Sequence, residues 1–334
     1  MKRTAHIWGA SLLLGLLAFA PAAFAQGAKA PAYKTFKDWE VGCDNVRGCV
    51  ALGFSTGDGD GGYIRVALAA GPDAKPEWKI VAGEQELSEP KLVAPPAEPG
   101  LTGWAAILAA ARKVDRVTVS DGKGARKIDL SFLGASAALL FIDDMQGRVG
   151  TTTALARPGP KPASSVPAAP PLPVVKAKPT SAAGEAPANL AAALVKRLPA
   201  SVKRDCSRMK GDDDSGEAYA MGDGVALVML PCDAGAYNFS SLLWLVKGKN
   251  VAGAQKLMLP DPLGRSQDGV TNGDYDPASG QLSFLAKGRG IGDCGESGVY
   301  SWTGSSFVLA SYRKMDKCQA VDPDDWPVLW RSAE

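Results

Sequence analysis

Histidine is almost missing from this chain of 334 residues, which has a single one, His6. His6 falls within an amino-terminal stretch that has the pattern of a cleaved leader, so the exported chain would have no imidazole. Imidazole is the usual general base, activates serine and cysteine nucleophiles, and is a common metal ligand. We therefore predict no catalytic residues of these kinds and no histidine-bound metal.

An excess of charge of either sign is also missing. Lys2 and Arg3 lie in the leader stretch, so 35 of the 37 basic residues remain after cleavage, against 35 acidic ones. Proteins that bind nucleic acid usually have a basic overall balance and a clustered basic surface. The neutral balance therefore predicts no nucleic-acid partner.

The sequence has no apolar run long enough to form a membrane-spanning helix. The apolar core of the leader, residues 7–20, falls short of the roughly 20 residues that a spanning helix needs. It follows Lys2 and Arg3 and precedes Ala23-Phe24-Ala25, the small-x-small pattern that a signal peptidase cuts. We predict a signal peptide over residues 1–25, cleaved after Ala25, rather than a membrane anchor, and no transmembrane segment after cleavage.

Cysteine is present in an even number, and no two cysteines have the CxxC spacing of a zinc site. In an oxidising compartment an even count first indicates disulfide bonds, so we predict no metal. A long linker separates the first two cysteines from the other four, which favours pairing within each group. Among the last four, sequence-local pairs are preferred, although the two other arrangements stay open. The preferred pairs are Cys43 with Cys49, Cys206 with Cys232, and Cys294 with Cys318.

Proline is concentrated in one stretch, residues 158–187, which contains nine prolines and no aromatic residue. This composition cannot bury enough apolar surface to fold, so we predict a disordered, partly extended Pro/Ala-rich linker over residues 156–187. A proline-rich ligand for a groove-binding domain is the alternative. The flanking segments, residues 33–155 and 188–334, are each long enough for a hydrophobic core and are predicted to form two domains.

Alternating apolar residues predict strands in both domains. In the first domain Trp39, Val41 and Cys43 alternate with charged or small residues, as a half-buried strand requires. A later pair of alternating segments predicts a hairpin that turns at residues 121–122, an Asp-Gly pair.

A few short helices are predicted beside these strands. Two helices follow Thr102 and Ser136 in the first domain, and one follows Asn189 in the second domain. The helices that an α/β wound fold would need between its strands are missing. We therefore predict a mainly β (α+β) protein with two antiparallel β-rich domains, a few short helices and a disordered Pro/Ala-rich linker between the domains.

Four polar residues lie near the end of the second helix: Asp143, Asp144, Gln146 and Arg148. Exposed pairs of opposite charge are common on helix surfaces and contribute little energy. We predict a solvated helix surface with an internal ion pair, in preference to a binding site.

Six sequence blocks stand out along the chain: FKDWEVGCDN, CVA, GASAALLFIDDMQGRVGTTTAL, CDAGAYN, KGRGIGDCG and WTGSSFVL. In this order they resemble the signature of the periplasmic domain-of-unknown-function 1176 family, over nearly the whole mature chain. The first half is also loosely similar to the invasion-associated locus B proteins, which many proteobacteria export. The resemblance implies a periplasmic location in a Gram-negative bacterium and a family architecture, but no reaction.

The stretch FLAKGRGIGDCGESGVYSW, residues 284–302, places five glycines around Cys294. A Walker loop needs Gly-Lys-Ser/Thr leading into a helix, and a dinucleotide-binding turn needs GxGxxG before a helix. Here Lys287 precedes the glycines and a strand pattern follows them. We predict a tight turn held by a disulfide at Cys294 rather than a phosphate-binding loop.

Polar residues beside these cysteines are candidate binding residues. Lys287, Arg289 and Asp293 lie in the glycine-rich turn, and loops held by a rigid scaffold often carry binding groups. Tyr237 and Asn238 would either cap and pack a turn of their own or join the glycine-rich turn in one recognition surface. An anionic ligand at Arg289 is a further hypothesis.

We expect a non-enzymatic binding or envelope-associated module, without a cofactor, whose partner is an unknown protein or envelope component. One alternative is a carboxylate-dependent hydrolase that acts on the cell wall or a glycan. Another is an inhibitor of a lytic enzyme, by analogy with small disulfide-stapled β domains. Two facing carboxylates of raised pKa in a cleft would favour the hydrolase. A rim bearing Arg289, Tyr237 and Asn238 would favour binding.

Overall fold

The structure of the protein, a computed structural model, describes residues 31–56, 61–210 and 216–334. The predicted signal peptide, residues 1–25, lies outside the described residues. Antiparallel strands dominate the described part and a few short helices accompany them, so the prediction of a mainly β, α+β fold is confirmed. None of the helices in this part has the length and apolar character that crossing a membrane requires.

The first half is built on one six-stranded antiparallel sheet, with a three-stranded sheet and two helices beside it. The strands of the large sheet, in chain order and in spatial order, are β1 (Ala32–Phe36), β2 (Trp39–Cys43), β3 (Cys49–Phe54), β4 (Gly62–Leu68), β5 (Glu77–Ala82) and β6 (Gln85–Glu86). The small sheet contains β7 (Lys91–Ala94), β8 (Arg116–Ser120) and β9 (Lys127–Ser131). The helices are α1 (Gly103–Ala111) and α2 (Ala135–Gln146).

Both faces of the six-stranded sheet are covered, which corrects the prediction of a half-buried strand at Trp39. Successive side chains of a strand point to opposite faces. Trp39 and Val41 therefore share one core with α1, α2 and the small sheet. Leu52 and Tyr63 lie on the other face, in a second core with Trp326 from the carboxyl-terminal segment. As a result, every residue of β2 is buried.

Two antiparallel sheets form most of the second half. The first sheet contains β10 (Glu217–Gly222), β11 (Val225–Ala234), β12 (Phe239–Lys247), β13 (Gln255–Lys256) and β16 (Gly269–Thr271). The second sheet contains β17 (Asp274–Asp276), β18 (Gln281–Lys287), β19 (Gly295–Trp302), β20 (Phe307–Met315) and β21 (Val328–Arg331). A short separate pair is formed by β14 (Leu259–Pro260) and β15 (Ser266–Gln267), and the helices are α3 (Leu190–Arg197) and α4 (Ala200–Asp205).

The alternation of side chains along β11 explains how these elements are layered. Leu227 and Met229 face the second sheet and share a core with it. Val228 and Leu230 point the other way, into a core that α3 and the end of α4 help to form. The helix predicted after Asn189 is therefore present as α3, and it covers the outer face of the first sheet.

The Pro/Ala-rich segment, predicted to be a disordered linker, lies against both halves, and the prediction of disorder is corrected. The Lys161 amide donates to the Gly150 carbonyl (3.0 Å), and the Val175 amide donates to the Ala333 carbonyl (2.8 Å). Val166 and Val175 are almost fully buried. The composition argument failed because several amides and apolar side chains of the segment are satisfied by neighbouring elements, although Leu172 and Val174 stay exposed.

The three preferred cysteine pairs are the disulfides of the structure, which confirms the predicted pairing. The first links β2 to β3, the second links the end of α4 to β11, and the third links the glycine-rich turn to the segment after β20. The pairs are Cys43–Cys49, Cys206–Cys232 and Cys294–Cys318.

Three of the four polar residues near the end of α2 are buried, which corrects the prediction of a solvated helix surface. Asp143 and Arg148 are both 0% exposed. The Asp143 carboxylate accepts hydrogen bonds from the amides of Leu155 and Ala156, each at 2.8 Å. Arg148 Nη2 donates to the Gly71 carbonyl at 2.6 Å. The hydrogen-bond partners of these side chains lie in segments outside α2. The two side chains therefore hold the loop that follows α2 against the rest of the first half.

Candidate binding rim

Two turns of the second half come together and form a candidate binding surface. The glycine-rich turn joins β18 to β19, and the turn that contains Tyr237 and Asn238 joins β11 to β12. A Cβ added at Gly290 would lie 3.4 Å from the Tyr237 ring, an ordinary van der Waals distance, so the two turns are in contact at this point. The predicted residues thus form one surface, which we name the rim: residues 235–239 and 287–293.

Asn238 and Asn272 fasten the two turns to each other. Asn238 Nδ2 donates to the Lys287 carbonyl (2.8 Å), and its Oδ1 accepts from the Lys287 amide (3.1 Å). Asn272, directly after β16, donates through Nδ2 to Asn238 Oδ1 (3.0 Å) and to the Leu285 carbonyl (2.8 Å). The polar atoms of Asn238 are therefore used to hold the rim together.

Arg289 is held in place by an internal partner. Its Nε and Nη2 donate to the two carboxylate oxygens of Asp293 at 2.7 and 2.5 Å. Asp293 also accepts from the Ala320 amide at 2.6 Å. Burial acts to raise the pKa of Asp293, but the hydrogen bonds from Arg289 and Ala320 outweigh it and lower that pKa. The Arg289 side chain is still 47% exposed, so it presents an oriented guanidinium at the surface.

The rim exposes three large apolar side chains. Ile291 is 73% exposed, Phe239 is 49% exposed and Tyr237 is 39% exposed. The aliphatic stem of Lys287 runs beside Gly292, within van der Waals distance of a Cβ built there. Adjacent exposed apolar and aromatic side chains with an arginine are typical of interaction surfaces, whereas single exposed apolar residues are ordinary. The rim combines apolar contact area with a partly exposed guanidinium that Asp293 orients.

The disulfide at the base of the rim also bears on metal binding. The carboxylate of Asp293 and the sulfurs of Cys294 and Cys318 lie within 4.8 Å of one another. A thiolate is the form of cysteine that binds a metal, and oxidised sulfur does not offer it. The disulfide therefore makes this cluster a structural staple of the glycine-rich turn.

Three residues of this region were missed in the sequence: Phe239, Ile291 and Asn272. Phe239 is the first residue of β12, where an apolar side chain gives no local sign that it is exposed. Ile291 stands between two glycines in a turn, and this was the available signal, because such a residue has few neighbours to bury it. Asn272 is 34 positions from Asn238, so no local pattern could identify it.

A second polar cluster lies where the β14–β15 pair meets the second sheet. Arg265 Nη2 lies 2.8 Å from Asp261 Oδ2 and 3.2 Å from Glu296 Oε1. Glu296 also accepts from Tyr312 Oη (2.6 Å) and from Lys314 Nζ (2.8 Å). Burial acts to raise the pKa of Glu296, but the hydrogen bonds from Lys314 and Tyr312 outweigh it and lower that pKa. The cluster therefore favours the ionised form of Glu296.

Comparison with known proteins places the chain in a family. Residues 33–333 match the family described as "Protein of unknown function (DUF1176)". The chain belongs to this family. It is 32% identical over 340 residues to the uncharacterized protein YpfG of Escherichia coli (strain K12), which covers 90% of this chain and 93% of the relative. No solved structure matches it. The family resemblance carried by the six sequence blocks is confirmed, and the rim lies within the matched region.

Proposed function

We propose that this protein is an exported, non-enzymatic binding module of the Gram-negative periplasm that recognises a protein partner through the rim. The observation that carries the proposal is the exposure of Ile291, Phe239 and Tyr237 on two adjoining turns. Binding energy at protein interfaces is concentrated in a few side chains, aromatic residues and arginine above all, that bury against the partner. The rim offers such side chains, with Arg289 beside them.

The way the rim is held supports a role in recognition. Hydrogen bonds from Asn238 and Asn272 join the two turns, and a disulfide at Cys294 closes the base of one of them. A surface that is already ordered loses less conformational entropy when a partner binds. The exposed side chains of the rim are therefore suited to specific contact.

The cysteine chemistry supports the proposed location. Disulfides persist in oxidising compartments such as the periplasm and are rare in the cytosol. All six cysteines of this chain are paired. Together with the leader pattern of residues 1–25, this supports cleavage after Ala25 and a partner that is a periplasmic or envelope protein.

The neighbouring carboxylates of Asp261 and Glu296 are a candidate site for the hydrolase alternative, and the electrostatics of this cluster argue against it. A glycoside hydrolase needs a carboxylic acid whose raised pKa keeps it protonated near neutral pH. The pKa of Glu296 is lowered instead. We therefore propose no catalytic role for Asp261 and Glu296. Inhibition of a lytic enzyme would be one form of the proposed protein recognition.

Affinity capture of the mature chain from periplasmic extract tests the proposal. The substitution Ile291→Asp places a charge at the exposed tip of the rim, and we expect it to abolish capture of the protein that the wild type retains. Met258→Asp is the matched control, because Met258 is an exposed apolar residue (54%) outside the rim. It should leave capture unchanged.

A variant in the other turn tests whether recognition uses both turns of the rim or only position 291. Phe239→Ser removes the neighbouring exposed ring, and we expect it to weaken capture of the same protein. Melting temperatures of all variants show whether they are folded. Equal capture by wild type, Ile291→Asp and Phe239→Ser, each folded, would contradict recognition through the rim.

A further inference from the structure

The first half contains a cavity that is distant from the rim in sequence. Unlike the rim, it is a concave site. It has a volume of about 520 Å³ and lies between β7 and the amino-terminal half of α1. Cavities that hold small ligands typically measure roughly 300 to 1,000 Å³ and are lined mainly by apolar side chains. Most of its lining is apolar: Pro90, Leu92, Ala97, Leu101, Trp104 and Ala106.

The walls of this cavity are anchored to the hydrophobic core. Ala106 is buried in α1, and Leu92 and Trp104 pack against the main core of the first half. The Trp104 ring lies 6.1 Å from the Trp78 ring, centroid to centroid. An apolar ligand in this cavity would therefore contact side chains that are already positioned by the fold.

Charged groups stand at one edge of the cavity. Lys91 Nζ donates to the Gly122 carbonyl at 2.8 Å. The Glu89 side chain packs beside the same glycine, with Oε2 3.3 Å from a Cβ built there. Both residues line the cavity, so an apolar interior opens beside one positive and one negative group.

We propose that this cavity binds one alkyl chain of an amphiphile whose zwitterionic head group lies at Lys91 and Glu89. Each buried methylene adds to the hydrophobic gain of binding, so an extended alkyl chain gains far more than a single methyl group would. The anionic part of the head group would face Lys91 and the cationic part would face Glu89. A folded protein partner is a poorer fit, because stable protein interfaces bury roughly 1,200 to 2,000 Å², more than a cavity lined by ten residues offers.

Calorimetric titration of the mature chain with dodecylphosphocholine, kept below its micelle concentration, tests this inference. We expect saturable binding of one molecule per chain. Ala97 lines the cavity, and Ala97→Phe should weaken binding at least about tenfold by adding a ring to the lining, a change of about 1.4 kcal/mol. Ala105→Phe is the matched control, because Ala105 is exposed on the same helix and does not line the cavity. It should change the affinity less than about twofold.

Two further ligands test the assignment of the head group. Laurate and dodecylammonium have similar chains with a single negative or positive charge, and we expect each to bind more weakly than the zwitterion. Absence of saturable binding, or equal affinity of wild type and Ala97→Phe, would overturn the chain site. Equal or tighter binding of laurate or dodecylammonium would overturn the assignment of the zwitterionic head group.

Discussion

The six-stranded sheet is buried on both faces, but the two faces are buried in different ways. The face toward α1 and α2 is apolar, and Trp39, Ile64 and Ile80 are fully buried there. The face toward the second half mixes apolar side chains with carboxylates. Glu40 in β2 is 1% exposed, and Asp44 directly after β2 is 2% exposed.

Carboxylates from both halves are paired across this interface with basic groups of the other half. Arg331 Nε lies 2.6 Å from Asp44 Oδ2, and Lys79 Nζ lies 2.7 Å from Asp325 Oδ2. Apolar burial is non-directional, whereas a buried charge is costly unless it meets its partner. The apolar face therefore supplies stability, and the mixed face favours the one placement of the second half that pairs these groups. The rim is fixed relative to the first half in this way.

The largest expected effect comes from the apolar face. Trp39→Ala removes a side chain that is 0% exposed and whose Nε1 donates to the Ser131 carbonyl at 2.9 Å. We expect the free energy of unfolding to fall by about 3 to 5 kcal/mol, as for other buried tryptophans. Denaturant unfolding measures this. Ile291→Ala, at an exposed position, should change it by less than about 0.5 kcal/mol, and equal effects of the two would contradict the assigned core.

A smaller effect is expected from the mixed face. Asp325→Ala removes the acceptor that Tyr63 and Lys79 share across the interface. The free energy of unfolding should fall by about 2 kcal/mol, because hydrogen bonds to charged groups are lost and Lys79 is only partly exposed. Asp324→Ala is the control, since the Asp324 side chain is 94% exposed. If the two neighbouring substitutions destabilise the protein equally, Asp325 does not join the halves.

The smallest effect is a dependence on pH that has opposite signs at two glutamates. Burial raises the pKa of Glu40 above its ordinary value of 4.5, so the folded state holds this proton more tightly than the unfolded state. The stability it contributes is complete below the ordinary pKa and is lost as pH rises through the raised pKa. Glu40→Gln should therefore destabilise the protein more near about pH 5 than near about pH 7.5.

Glu296 provides the opposite case. Its lowered pKa means that its contribution is present above the ordinary pKa and is lost as pH falls through the lower folded value. Glu296→Gln should therefore destabilise the protein more near neutral pH than near about pH 3. Thermal unfolding of each variant against the wild type across pH measures both differences. The same sign for both glutamates would contradict the assigned environments.

Local sequence patterns predicted the helices and strands of the fold better than they predicted which segments pack against each other. The helix predicted after Ser136 is present as α2, and it ends at Gly147, which has a positive φ of 71°. The hairpin was predicted to turn at residues 121–122, but the Asp121 amide donates to the Arg126 carbonyl (3.2 Å), which makes a longer loop. The register of β9 is set by Ile128 and Leu130 against the core, and this tertiary demand overrides the preference of Asp-Gly for a tight turn.

The contacts within the rim and at the interface between the halves could not be predicted from local sequence patterns. The disulfide pairs could be predicted because nearby cysteines close short loops. The contacts of Asp44 with Arg331 and of Asn238 with Asn272 join distant segments, so no local pattern carried them. The burial of Glu40 could not be predicted for a related reason. An alternating strand predicts one covered face, and only the fold shows that the second half covers the other.

Site-specific photo-crosslinking in intact cells tests recognition through the rim most directly. A photoreactive residue at Ile291 should give one discrete protein adduct, identified by mass spectrometry, and the same residue at Met258 should not give that adduct. Absence of an adduct from position 291, or the same adduct from both positions, would contradict the rim as the binding surface.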